Sequence, residues 1–190
     1  MHLRRLRRRQ DFTYQGKHRY SLVFTVYQRR AVFTESEPVA LCLSHILRAA
    51  ADRAFAVLAY CCMPDHVHLV VQGTSEEANL PRFVQRAKQL SGYHFRHRRK
   101  LWQDGYYEYV IRPHEEIDRV VTYVLQNPVA AGIVRNAQDY PFSADLRRPD
   151  LQVGRAQGTP DCADLQVGRA QGTPDCDDLQ VGRAQETPEA

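Results

Sequence analysis

No stretch of the 190-residue chain is apolar for long enough to cross a bilayer, so no transmembrane helix is expected. The opening residues, Met1-His2-Leu3-Arg4-Arg5-Leu6-Arg7-Arg8-Arg9, lack the apolar segment of a secretory signal. Cysteine is sparse and odd in number. Of the five, Cys162 and Cys176 are copies of one repeat position, while Cys42, Cys61 and Cys62 sit in apolar runs as small buried residues. That usage excludes a disulfide scaffold and suits a reducing cytosol. Zinc-ligand spacing is missing too, because Cys61 and Cys62 are neighbours and point to opposite faces of a strand.

The last forty residues have little with which to build a core. Asp-Leu-Gln-Val-Gly-Arg-Ala-Gln begins at Asp150, Asp164 and Asp178, and the only apolar residues are widely spaced Leu, Val and Ala. A disordered tail of 14-residue repeats is expected over 150–190. It carries three arginines against eight acids, a net of −5, which leaves +9 on residues 1–149 of the chain's +4. The remainder is therefore distinctly basic, which points to nucleic acid or another anionic surface. Residues 1–11 read as a basic flexible arm in which Arg4, Arg5, Arg7 and Arg8 are placed to lie on phosphates.

Between arm and tail, residues 12–149 show the patterning of one domain. Tyr20 to Tyr27 is rich in β-branched and aromatic residues and predicts a first strand. Val39, Leu43, Ile46, Leu47 and Ala50 recur at helical spacing. Two apolar runs follow, 54–62 and 66–71, joined through Pro64-Asp65 as a hairpin. Leu80, Phe83, Val84, Ala87 and Leu90 mark a second helix, and Tyr106 to Arg112 a fourth strand. The order is β-α-β-β-α-β, the split arrangement of a ferredoxin-like α+β sheet with helices on one face. A further helix after Pro113 carries the stripe Ile117, Val120, Val121, Val124 and Leu125 and ends where Asn127 meets Pro128.

Chemistry-bearing residues fall on these elements in a pattern. Alternate residues of a strand share a face, so His66 and His68 project together as half of a metal site. Tyr123 and Asn127 lie one helical turn apart and share a face. The second helix and the residues after it are strongly basic: Arg82, Arg86, Lys88, Arg96, Arg98 and Arg99, with aromatics interleaved and Trp102 close behind. Cations that take phosphates beside rings that stack on bases make this stretch a candidate nucleic-acid surface. The bland alternatives are exposed strand histidines, a tyrosine packed on the sheet and an asparagine capping a helix end.

The string Met63-Pro64-Asp65-His66-Val67-His68-Leu69-Val70 resembles the histidine–hydrophobe–histidine motif of single-tyrosine transposases. Leu101-Trp102-Gln103-Asp104-Gly105-Tyr106-Tyr107, the run from Tyr123 through Asn127-Pro128 to Val134, and Asp139-Tyr140-Pro141-Phe142-Ser143 match in the same order. Together, over roughly residues 12–146, they resemble the REP-associated tyrosine transposases. Asp65 stands where an asparagine is more usual, and the acidic tail has no counterpart.

The resemblance implies a ferredoxin-like fold with an added C-terminal helix that carries the nucleophile. It implies a metal-dependent endonuclease and strand transferase acting on REP-like hairpin or single-stranded DNA. Tyr123 would be the nucleophile and His66, His68 and Asn127 the ligands of Mg²⁺ or Mn²⁺, with Gln126 as the fallback. Tyr93 is the competing nucleophile. A bacterial, nucleoid-associated, cytoplasmic protein is expected, with monomer and homodimer both open. The rival readings are a domesticated hairpin-binding protein without catalysis and a ferredoxin-like RNA-binding module, although the aromatic string of RNA-recognition motifs is absent.

Overall fold

The structure, a computed structural model, describes residues 12–95, 100–112 and 116–147. The basic arm with Arg4, Arg5, Arg7 and Arg8, the cations Arg96, Arg98 and Arg99, and the repeated tail lie outside the described residues. The elements in chain order are β1 (Arg19–Thr25), α1 (Ser36–Asp52), β2 (Phe55–Met63), β3 (His66–Gly73), α2 (Leu80–Phe95), β4 (Tyr107–Ile111), α3 (Ile117–Leu125), α4 (Asn127–Ala130) and β5 (Ser143–Asp145).

The five strands form one antiparallel sheet in the order β4-β1-β3-β2-β5. The first four follow the split β-α-β order anticipated from the sequence, and the fold is α+β. β5 was not anticipated. It is three residues long and pairs Ala59 with Asp145 and Cys61 with Ser143, extending the sheet beyond β2.

Period-two alternation along the strands gives the sheet two apolar faces. On one, Leu22, Phe24, Val67, Leu69 and Val71 pack with Ile46 of α1 and Leu80, Phe83 and Ala87 of α2. α1 buries Val39, Cys42, Leu43, Ile46, Ala49 and Ala50, the stripe expected of a helix lying on a sheet. α2 is preceded by Asn79, whose Oδ1 accepts from the Arg82 N–H at 3.1 Å and so satisfies one of the open amides of the first turn. The opposite face carries a smaller core of Ala59, Cys61, Met63, Val70, Ile111 and Tyr140, against which α3 lays Val121 and Val124.

A shift of register between Val57 and Ala59 rephases β2. Phe55 and Val57 before it, and Tyr60 and Cys62 after it, all belong to the α1/α2 side, while Ala59, Cys61 and Met63 belong to the other. At the far end of β3 the backbone is close enough to Gly16 that a Cβ on Gly73 would collide with the Gly16 carbonyl.

Candidate active site

His66 and His68 open β3, the central strand, and face the same side of the sheet as α3. Strand pairing sets Met63 opposite His66 and Cys61 opposite His68. The two rings converge, with Nε2 of one 3.0 Å from Nε2 of the other. Nδ1 of His66 is hydrogen-bonded to Oδ1 of Asp65, in the turn just before the strand. His68 is 9% exposed, and burial pushes its imidazole down to about 3, helped by His66 and opposed by the Asp65 charge. It is therefore neutral at ordinary pH, the form in which a ring nitrogen offers a lone pair.

Across the face from the histidines come Glu116 just before α3, Arg119 and Tyr123 on α3, and Asn127 at the start of α4. With His66, His68, Arg29, Tyr107 and Tyr109 they line an open cleft of about 900 Å³. Tyr123 is 68% exposed, so its side chain lines this cleft and is not packed away on the sheet. Asn127 donates its Nδ2 hydrogens to the carbonyls of Tyr123 at 2.9 Å and Val124 at 3.1 Å. The helix-capping alternative therefore holds for its nitrogen. That bonding leaves Oδ1 as the end of the amide not engaged with the helix.

The structure thus brings His66, His68, Tyr123 and Asn127 to one cleft. It sets Tyr93 apart: that ring is exposed on α2 beside Lys88, Lys100 and Gln103, and α2 packs on the other face of the sheet. Gln126 is exposed and is not among the lining residues.

The expected DNA surface on α2 and the loop after it needs correction in two places. Trp102 is only 5% exposed. Its ring packs on Phe24 and Phe33, and its indole N–H donates to Ser91 Oγ at 2.9 Å, so it is a core residue with no face for a base. Lys88 turns inward. Its ammonium donates to the carbonyls of Gln103, at 2.7 Å, and Gly105, and lies 5.7 Å from the centre of the Phe24 ring, while burial pushes it down to about 8. It straps the loop before β4 to α2 and is not presented to phosphate. Arg86 stays at the surface in an ion pair with Asp52 at 3.4 Å, and Arg82 is exposed.

Two cleft residues were not anticipated from the sequence. Arg119 precedes Tyr123 by four residues on α3, a spacing that could have revealed it. Arg29 gave no such signal. It follows β1 in a short turn where Gln28 has φ 59° and Arg29 φ 55°. Left-handed conformations cost non-glycine residues on the order of 1–3 kcal/mol each and persist where the surroundings impose them. Here Val26 N–H donates to the Asp65 carbonyl, and Val32 and Phe33 N–H to that of Pro64. Arg30 Nη2 donates to the Lys100 carbonyl at 2.6 Å.

The thiols offer little to a metal. Burial pushes Cys61 up to about 12 and Cys62 well above its ordinary value, and among the described residues no three His, Cys, Asp or Glu side chains cluster closely enough to hold an ion. The side chains in the cleft with a nitrogen or oxygen lone pair to offer an ion include His66, His68 and Asn127. No helix among the described residues is long and apolar enough to cross a membrane.

Comparison with known proteins gives concordant results. The profile of the IS200-like transposases matches residues 14–127. A REP-associated tyrosine transposase of Escherichia coli is 29% identical over 101 residues, covering 52% of this chain and 59% of its own length. A Haemophilus influenzae protein provisionally given the same name is 25% identical over 112 residues, covering 52% of this chain and 64% of its own length. The chain thus spans about three fifths of the length of these curated relatives. Among solved structures, a REP-associated tyrosine transposase bound to a REP hairpin superposes with a TM-score of 0.65 at 20% identity, over 82% of this chain and 94% of that one.

Proposed function

The chain belongs to the IS200-like transposase family, and we propose that it cleaves and rejoins single-stranded DNA beside REP-like hairpins, with Tyr123 as nucleophile. The observation that carries this reading is the shared cleft: one exposed phenol, two converging imidazoles and a carboxamide, delivered by β3, α3 and the start of α4 to the same side of the sheet. The relatives named for REP-associated transposition and the hairpin held by the structural neighbour supply the substrate class.

The residues suit a divalent ion. Imidazoles on an octahedral ion of Mg²⁺ size, each about 2.1 Å from it and at right angles, stand about 3.0 Å apart, and the two Nε2 atoms are separated by 3.0 Å. His66, His68 and Asn127 Oδ1 would hold the ion, Mg²⁺ or Mn²⁺. When bound, it would supply Lewis-acid stabilisation of phosphate oxygens and lower the demand on a phenol whose ordinary pKa is about 10.

Tyr123 Oη attacks the scissile phosphorus as its hydroxyl proton leaves to solvent. The bond from phosphorus to the 3′ oxygen breaks and that oxygen takes a proton, leaving a 5′-phosphotyrosine and a free 3′-hydroxyl. One phosphodiester is exchanged for another, so the same step in reverse rejoins strands. Arg29 and Arg119, both lining the cleft, and Arg82 on α2 supply positive charge for the DNA backbone. The arm of residues 1–11 and Arg96, Arg98 and Arg99 would add phosphate contacts.

The test is incubation with a labelled single-stranded hairpin oligonucleotide, with Mg²⁺ or Mn²⁺ and with chelator, followed by a denaturing gel. A protein–DNA adduct that needs the metal and disappears in Tyr123→Phe is expected. Tight hairpin binding without an adduct would favour the domesticated binder, and an adduct that survives Tyr123→Phe but not Tyr93→Phe would reassign the nucleophile.

A further inference from the structure

Asp65 is shared between two partners: Oδ1 with His66 Nδ1, and Oδ2 with Arg29 Nε at 3.3 Å. Arg29 is half exposed, yet its place is not left to chance. The left-handed pair Gln28 and Arg29 is enclosed by backbone bonds from Val26, Val32 and Phe33 to the carbonyls of Pro64 and Asp65, the turn that presents His66. Turn and guanidinium are thus held as one piece.

We propose that Arg29 is a positioning residue for the metal-binding pair: by holding Asp65 against His66, it fixes the His66 ring with its proton on Nδ1 and its lone pair on Nε2. A carboxylate anchored on one side by a guanidinium accepts from a ring N–H on the other, and the ring's second nitrogen is then an acceptor. The arrangement propagates one step further. His66 Nε2 lies 3.0 Å from His68 Nε2, so with His66 accepting, His68 carries its proton on Nε2 and donates it. Before an ion is bound, Asp65, His66 and His68 form a chain of hydrogen bonds that the Arg29 guanidinium anchors through an ion pair at its Asp65 end. The ligand of the pair that needs no proton rearrangement is His66, and His68 joins by moving its proton to Nδ1.

The inference rests on the reading of His66 as a ligand, but its readout requires neither DNA nor cleavage. The full chain, labelled with ¹⁵N-histidine and free of metal, is observed by two-bond ¹H–¹⁵N correlation of the imidazole rings. In the native protein, His66 Nδ1 is expected at a protonated, pyrrole-type shift and Nε2 at a pyridine-type shift. Arg29→Gln should draw both toward intermediate values as the tautomers mix, and Mn²⁺ affinity by calorimetry should fall about tenfold. Arg29→Lys, which keeps the charge, should restore much of both. In an Asp65→Asn background, Arg29→Gln should add nothing. Unchanged ring shifts in Arg29→Gln, or a full Arg29→Gln effect without Asp65's charge, would overturn the proposal. If the shifts move while no DNA adduct ever forms, the positioning stands and the cleavage reading falls. An adduct with unmoved shifts would leave cleavage by Tyr123 standing and remove the positioning role of Arg29.

Discussion

The hydroxyl of Tyr140 donates to the backbone carbonyl of Cys62 at 2.6 Å, joining two residues 78 apart in sequence. Cys62 N–H in turn donates to the Phe142 carbonyl at 2.8 Å, so the segment after α4 is stitched to β2 from both directions. β2 is the strand against which the histidine strand pairs. Tyr140→Phe should therefore cost about 1 kcal/mol of unfolding free energy, measured by urea denaturation, while Tyr123→Phe, altering an exposed phenol, should cost almost none.

Gly73 predicts a larger loss. A methyl group there meets backbone and not a flexible side chain, so the chain around Gly16 must shift. Gly73→Ala should destabilise by about 1–3 kcal/mol, with a midpoint lowered in the same denaturation experiment.

The arginines and Trp102 should separate cleanly in a salt titration of hairpin affinity. Arg119 is exposed in the cleft and Arg82 on α2, so Arg119→Gln and Arg82→Gln should each weaken binding and reduce the slope of log affinity against log salt by about 1. Trp102→Phe should leave that slope unchanged and lower stability, because the Ser91 partnership is internal. A slope altered by Trp102→Phe in a folded protein would reopen its role on DNA.

Acid sensitivity is expected from the packing of α1 against α2. His45 stacks on His94 between α1 and α2 at a centroid distance of 4.2 Å, and burial, with His94 and Arg48 nearby, lowers its pKa below the ordinary 6.5. From pH 6.5 downward the unfolded chain therefore binds a proton that the folded chain refuses. Stability falls through that window and the loss levels off once the folded imidazole also titrates. His45→Gln should flatten part of the slope of melting temperature between pH 6.5 and 5.

Much of this was legible in the sequence because periodicity reports burial directly. The stripes of α1, α2 and α3 and the alternation of His66, Val67 and His68 matched the elements that formed, and the closeness of Tyr123 and Asn127 followed from helical geometry although α3 ends at Leu125 and Asn127 opens α4. What escaped has physical reasons. The register shift in β2 is invisible where both faces of a strand are apolar. β5 is too short to carry a pattern. Trp102 looked like a stacking ring because the order of residues does not say which way an aromatic side chain in a loop turns, and Lys88 looked like a phosphate contact because its acceptors are carbonyls. Arg29 could not be placed, since its approach to Asp65 depends on two backbone angles that no residue type there requires.

The exposure of Tyr123 bears on which DNA molecules can be taken. Among the described residues, the phenol stands in an open-sided cleft on one face of the sheet and not at the end of a tunnel. With Tyr123 as the proposed nucleophile, a strand can settle against it sideways, and no free terminus has to be threaded. Closed circles and long replication intermediates would then be attacked as readily as short fragments, wherever a hairpin sits beside an unpaired stretch.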